Sequence, residues 1–253
     1  MATKINKVLR SIHRNSLLFS SWLSSNGIDR KEQSLYVRSG WIERISKGVY
    51  KIAGEKPTIY SAILSYNEQL GKNCHIGALS ALDIKGYSHF VPMGKPKTFL
   101  FTDKKERLPQ WLLSFDWDMT IYYSMLSLFE DENIGLETFS YDGLDLLISS
   151  PERAFLECLA LSPGQFSLME IHYVMEMLTV LRPKLVQKLL EQCTNIKAKR
   201  LFLYMAEKAG HKWITAIDRG NINLGIGNRH LAINGVYVKE YNITIPKELA
   251  DYE

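Results

Sequence analysis

Cysteine is scarce in the 253-residue chain, and Cys74, Cys158 and Cys193 stand in no CxxC or Cys/His ligand spacing. That argues against a structural zinc and a disulfide framework, and leaves burial as the ordinary fate of a free thiol. No apolar run approaches the roughly 20 residues needed to cross a bilayer, so no membrane partner is expected. The opening MATKINKVLRSIHRN lacks the apolar middle of a signal peptide, which predicts a cytoplasmic protein. There is no internal repeat and no low-complexity segment. The six histidines, His13, His75, His89, His172, His211 and His230, include no pair at metal-ligand spacing, so no metal is expected. Gly225-Ile-Gly227 has neither the third glycine nor the following Lys-Ser/Thr of a phosphate loop, and a turn accounts for it better. No cofactor is expected.

Catalytic signatures are equally thin. Asp142, Asp145, Glu152 and Glu157 cluster in sequence, and a metal-dependent nuclease needs converging carboxylates. Asp142, however, belongs to an Asp-Gly turn. Glu152 falls in the first turn of a helix, where the dipole favours negative charge. No Glu-x-Lys follows a strand where a nuclease would place it. No catalytic residue is assigned, and a nucleic-acid-processing enzyme stands as the alternative of another class.

What the chain does have is an uneven charge. Met1 to Lys56 holds eleven Lys and Arg against four Asp and Glu, a net +7, whereas the other residues hold twenty against twenty-three, a net −3. A small basic module attached to a larger domain is the simplest reading, and a polyanion such as nucleic acid is its first candidate partner.

The pattern within that module is specific. Residues 4–14 read as a helix with Ile5, Val8, Leu9 and Ile12 on one face. Ser16 is placed to cap a second helix through Leu17, Leu18, Trp22 and Leu23, stopped by Asn26-Gly27. Asp29 caps a third from Arg30 to Arg38. Trp41 to Ile45 and Val49 to Ile52 then form a hairpin around Gly48. Three helices and a hairpin describe a winged helix-turn-helix, whose third helix fits the major groove while the wing reaches the phosphates. Arg30, Lys31, Ser34 and Arg38 lie at i, i+1, i+4 and i+8, roughly one stripe, and are the candidate groove contacts. Arg44 and Lys47 are the candidate phosphate contacts. Leu35 shares the stripe, so either it touches a thymine methyl or the helix is rotated from this register; Tyr36 and Val37 look like core anchors. Trp22, Trp41 and Tyr50 are expected in the core. The competing use of the same module is a winged fold with a solvated basic face that contacts protein.

Beyond it, Pro57 opens a helix carrying Ile59, Ile63, Tyr66 and Leu70, and a second covers Ile76 to Lys85. Strands follow at Thr98–Thr102 and Met119–Tyr123. Thr138–Tyr141 and Leu144–Ser149 flank Asp142-Gly143, a strong hairpin signal. Ser150-Pro151 opens another helix, and Ser167-Leu-Met-Glu170 is a capping box before the next. Helices at about 184–192 and 197–209 precede a second hairpin signal, Asn234-Gly235, between His230–Ile233 and Val236–Thr244. The whole predicts an α+β protein. A winged helix-turn-helix spans residues 1–56. A larger mixed α/β domain with antiparallel hairpins spans 57–253, with a further division conceivable near 165.

The stretch SSNGIDRKEQSLYVRSGWIERISKGVYKI resembles the N-terminal winged helix of the AbiEi family, the antitoxins of type IV toxin–antitoxin systems. HIGALSALDIKGYSHF, ISSPERAFLECLAL and NINLGIGNRHLAINGVYVKEYNITIPKEL are similar to later segments of the family, in the same order. The resemblance implies an N-terminal domain that binds inverted repeats in its own promoter as double-stranded DNA and represses transcription; since one winged module reads only a few base pairs, two copies are expected on the repeat, as a dimer or as two monomers in self-association on the DNA. It implies a C-terminal domain that counteracts a nucleotidyltransferase-like toxin without a stable complex. A stand-alone regulator without a toxin is the alternative within the family. A second basic region, which includes Lys197, Lys199, Arg200 and Lys208, is a candidate further surface for DNA, for RNA or for the toxin's substrate, as against a solvated helix face.

Overall fold

The structure is a computed structural model that describes residues 4–87 and 94–252; Ser88–Met93, with His89, lie outside them. The first helix, α1 (Lys4–Arg10), ends four residues earlier than the periodicity predicts. Both the Ser11 N–H (3.1 Å) and its hydroxyl (2.8 Å) donate to the Val8 carbonyl, a tightened turn that closes the helix.

The second predicted helix is shorter than expected, because Leu17–Phe19 form a strand, β1, and only Ser20–Ser25 form α2. The reason is burial on two sides. Leu17 and Phe19 enter one apolar cluster and Leu18 enters another, which requires the period of two that only a strand supplies. The third helix, α3 (Arg30–Arg38), has the predicted bounds. The hairpin is β2 (Ile42–Ser46) and β3 (Val49–Ile52), and β3 lies between β1 and β2, antiparallel to both. Trp41 departs from its predicted core position: it lies outside the strand and is 48% exposed. Trp22 is half-buried and Tyr50 buried.

The strand β1 is an edge, and α4 (Ile59–Leu70) covers it. The Ser65 hydroxyl accepts from Leu17 N at 3.0 Å. The Gln69 amide accepts from Phe19 N at 3.0 Å and donates to the Leu17 carbonyl at 2.6 Å, so the unpaired edge groups are satisfied by side chains. Leu17, Phe19 and Val49 share one apolar cluster with Ile59, Ile63 and Tyr66.

The second sheet has five strands: β4 (His75–Ile76), β5 (Lys97–Thr102), β6 (Thr120–Met125), β7 (Leu136–Tyr141) and β8 (Leu144–Ser149). Their order is β6-β5-β4-β8-β7, with β5/β6 and β4/β8 parallel and the other pairs antiparallel. The β7–β8 turn is Asp142-Gly143, with φ of 50° and 73° at the two positions, the left-handed pair that a tight hairpin needs. Around the sheet lie α5 (Ala78–Ile84), α6 (Gln110–Ser114), α7 (Pro151–Leu161), α8 (Leu168–Met177), α9 (Pro183–Gln192) and α10 (Ile196–Lys208). The Ser167–Glu170 capping box is present, with Glu170 N donating to Ser167 Oγ at 3.1 Å and Ser167 N to Glu170 Oε2 at 2.8 Å.

The helix predicted from Ile76 starts at Ala78 instead. The cause is a buried polar knot around Glu157, itself 1% exposed. Its carboxylate accepts from Ala78 N (2.9 Å), Ser149 Oγ (2.9 Å) and Arg153 Nε (2.8 Å), and lies 3.1 Å from His75 Nε2. Burial pulls Glu157 upward, but the His75 hydrogen bond and the charges beside it outweigh that and hold its carboxyl at about 2. Burial lowers His75, and since a carboxylate only accepts, its Nε2 is the donor. A methyl group at Gly77 would stand 2.3 Å from Glu157 Oε2, which is why glycine precedes α5.

The tail holds β9 (Arg229–His230), β10 (Val236–Val238), β11 (Ile243–Ile245) and α11 (Lys247–Asp251). The predicted hairpin across Asn234-Gly235 is not formed. Instead β10 pairs antiparallel with β11, and β9 pairs with β11 in parallel. Gly235 lies so close to the Ile245 carbonyl that a Cβ would meet it at 2.2 Å; that glycine serves a close approach between backbones rather than a hairpin.

Candidate nucleic-acid interface

The start of α3 is fixed locally. Asp29 Oδ1 accepts from Lys31 N (2.7 Å) and Glu32 N (2.8 Å), while Glu32 Oε2 accepts from Asp29 N (3.0 Å). This reciprocal cap satisfies orphan donors of the first turn. The helix is held to the module by a residue the sequence reading did not single out. Gln33 is buried, accepts from Ser20 Oγ at 2.7 Å and donates to the carbonyls of Ile28 (2.9 Å) and Ser20 (3.1 Å). Its signal was its spacing: it precedes the two core-facing residues Tyr36 and Val37 by three and four positions.

The wing turns at Ser46-Lys47-Gly48, where Gly48 has φ 75°. Its carbonyl accepts from Ser20 N at 2.8 Å, which ties the wing tip to α2. Between α3 and the wing opens a cleft of about 710 Å³, lined by Arg30, Ser34, Arg44 and Lys47 and also by Pro109 and Trp111. Lys31 and Arg38 do not line it; both lie on the exposed face of α3 with Leu35, which is 56% exposed. Six candidate contacts are therefore exposed, four of them around one cleft. Arg44 also stands 5.8 Å from the Tyr50 ring centroid, which orients its guanidinium. Ser34 donates its hydroxyl back to the Arg30 carbonyl at 2.9 Å, leaving its oxygen as an acceptor.

Among the described residues, Arg30, Lys31, Arg38, Arg44 and Lys47 form no ion pair. Lys4 and Lys51, in the same module, are paired with Glu32 (2.9 Å) and Glu43 (3.0 Å). Five exposed cations without an ion pair thus stand at α3 and the wing; Lys7, Arg10, Arg14 and Lys56, elsewhere in the module, are likewise exposed and form none among the described residues.

The second basic region is different in kind, and the expectation of a surface there is corrected. Arg200 is 2% exposed. It donates to four carbonyls: Leu224 (2.8 Å), Gly225 (3.1 Å), Gly227 (2.6 Å) and Asn242 (2.9 Å). Lys197 donates to the carbonyls of Ala160 and Ser162, and Lys208 to those of Ala250 and Tyr252. Lys199 is buried, and burial lowers both it and Lys197. Lys197, Arg200 and Lys208 thus anchor loops and the tail rather than face a ligand. The Gly225-Ile-Gly227 turn is wrapped around the Arg200 guanidinium.

The four carboxylates weighed for catalysis do not converge. Asp142 is in the exposed β7–β8 turn, and Asp145 is exposed. Glu152 is paired with Arg182, its Oε2 2.8 Å from Nη2. Glu157 belongs to the buried knot. No three His, Cys, Asp or Glu among the described residues are placed to hold a metal, and no helix among them is long and apolar enough to cross a membrane.

Two family models match the chain. Residues 1–93 match a model described as the N-terminal domain of the transcriptional regulator AbiEi antitoxin, and residues 95–246 match one described as the transcriptional regulator, AbiEi antitoxin, of type IV toxin–antitoxin systems. No curated protein matches it as a relative. Among solved structures, the crystal structure of the Rv2827c protein from Mycobacterium tuberculosis is similar, with a TM-score of 0.61 at 14% identity, over 91% of this chain and 86% of that one. At that identity the likeness concerns the fold alone.

Proposed function

The chain belongs to the AbiEi family of type IV antitoxins that are transcriptional regulators, and from that premise we propose that it represses its own promoter by binding inverted repeats in duplex DNA. The observation that carries the reading is the cleft of the winged module, lined by Arg30, Ser34, Arg44 and Lys47, all exposed and its three cations free of ion pairs, whereas the cations of α10 are bonded to carbonyls or buried. In this reading α3 enters the major groove. Arg30, Lys31 and Arg38 approach base edges, where a bidentate arginine or lysine on guanine is the commonest specific contact. Ser34 accepts from a base amine, and Leu35 meets a thymine methyl. Arg44 and Lys47 hold phosphates on either side of the groove. One winged module reads a few base pairs, so two copies meet on an inverted repeat.

The antitoxin half is proposed on the family premise: the chain counteracts a nucleotidyltransferase-like toxin without a stable complex. Two experiments test the two halves. A gel shift compares the upstream promoter fragment with random duplex of equal length; equal affinity for both overturns operator-specific repression. Co-expression with a nucleotidyltransferase toxin of such a system tests the other half; growth arrest that the chain does not relieve overturns the antitoxin reading.

A further inference from the structure

Part of the cleft wall belongs to the second part of the chain. Pro109 and Trp111 line it together with Arg44 and Lys47, and the Trp111 ring lies 6.1 Å from that of Phe19 in β1. Immediately before Pro109 runs Asp103-Lys-Lys-Glu-Arg-Leu108, a loop with three cations in a region whose net charge is otherwise negative. Lys104, Lys105 and Arg107 are exposed, and none forms an ion pair among the described residues. The loop's acids are turned to other tasks. Asp103 Oδ1 accepts from Lys105 N (2.7 Å) and Glu106 N (3.0 Å), and Glu106 faces Lys72 at 3.8 Å.

The loop backbone is also tied to the sheet by hydrogen bonds. Tyr123 OH accepts from Leu108 N at 3.0 Å and donates to the Glu106 carbonyl at 3.0 Å, and the Thr102 hydroxyl donates to that same carbonyl at 2.6 Å. Its position relative to the wing is fixed by the Ser65 and Gln69 bonds to β1 and by the apolar cluster beneath them. Arg107 is two residues from the cleft wall and Lys105 four, so their Cα atoms lie within about 7 and about 14 Å of Pro109 by chain reach. A backbone fixed in advance at that distance spares the loop's own ordering entropy when its cations meet a phosphate, and leaves only that of the side chains.

We propose that the 103–108 loop is a second phosphate-gripping element, which extends the DNA contact of the winged module across the cleft onto the flanking backbone. The inference rests on the DNA-binding reading of that module. It assigns Lys104, Lys105 and Arg107 to sequence-independent affinity, with base readout left to α3.

The test uses the full chain and fluorescence anisotropy on a labelled promoter duplex from 50 to 200 mM salt. Three proteins are compared: wild type, Lys47→Ala, and the triple Lys104→Ala/Lys105→Ala/Arg107→Ala. Each lost phosphate contact lowers the log–log salt slope by about 0.9. The triple variant is expected to lower it by about 2.7, so that wild type loses about 40-fold more affinity than the triple across that fourfold salt range. Specific and random DNA should be affected equally. Trimming the duplex on the loop side should weaken wild type and leave the triple unchanged. If Lys47→Ala lowers the slope and the triple does not, the loop is outside the interface and the winged reading stands. If wild type binds no duplex, both fall together.

Discussion

Gln33 offers a sharp test of how α3 is held, because its carboxamide is the polar link between that helix and the turn before it. The Gln33→Met change keeps the side chain's length and approximate volume, so it opens no cavity, and removes both polar groups. The Ile28 carbonyl then loses the amide that donates to it at 2.9 Å, inside a fully buried residue. An unsatisfied buried acceptor costs about 1–3 kcal/mol. Ser20 and Ser24 lie nearer the surface and recover bonds to water, so they add little. A loss of about 2 kcal/mol corresponds to about a 30-fold rise in local opening. Hydrogen exchange reads this directly: amide protection over residues 33–38 should fall by that factor, with protection in α8 and α10 unchanged, since local opening is not uniform across a fold. Undiminished protection in α3, or an equal loss everywhere, would refute the view that Gln33 holds this helix in place.

Four further outcomes are expected. Changing Arg30 or Lys31 to Ala should relax sequence preference by about 1–3 kcal/mol if either reads a base; measured on promoter and random duplex, an equal loss on both rules out base readout. Glu157→Gln should destabilise the chain by about 3–5 kcal/mol, because it strands the buried Arg153 charge, and urea melts would show it. In the wild type the Glu157 carboxyl is held at about 2, below its unfolded value of about 4.3. Its stabilisation, about 3 kcal/mol, is therefore full above that unfolded value and is lost as pH falls toward 2; the melting temperature of Glu157→Gln should lack this acid-side component. A fragment ending at residue 56 should unfold far more readily than one ending at residue 87, since it exposes Leu17, Phe19 and Val49. At about 1.5–3 kcal/mol each their burial amounts to about 5–9 kcal/mol, comparable with a small domain's whole stability; equal melts for the two fragments would contradict this.

Features decided within a few residues were legible in the sequence. The Asp29 cap, the Ser167–Glu170 box and the Asp142-Gly143 turn are local devices, and each appears with the predicted geometry. Features decided by distant partners were not. Leu17–Phe19 read as the start of a helix, and pairing with β3, with α4 against Leu17 and Phe19 and the Ile5–Val8–Leu23 cluster against Leu18, makes them a strand. Asn234-Gly235 carries a hairpin signal, but β11 takes the pairing for β10 and β9 alike. Trp41 has the composition of a core residue and stands at the surface beside α3. Lys197, Arg200 and Lys208 look like a solvated cationic helix face because a sequence does not display which carbonyls will fold over it. The exposed stripe of α3 was legible for the opposite reason: solvent, rather than a remote partner, sets its environment.

The most direct measurement is the salt dependence of the wild-type chain's affinity for its upstream promoter duplex. With Arg44 and Lys47 unpaired and exposed, their two phosphate contacts give a log–log slope of about −1.8, and the three cations of the 103–108 loop steepen it to about −4.5. Promoter duplex should bind more tightly than random duplex at every salt. A slope near zero, or no binding at low salt, would contradict a DNA-binding role for this face.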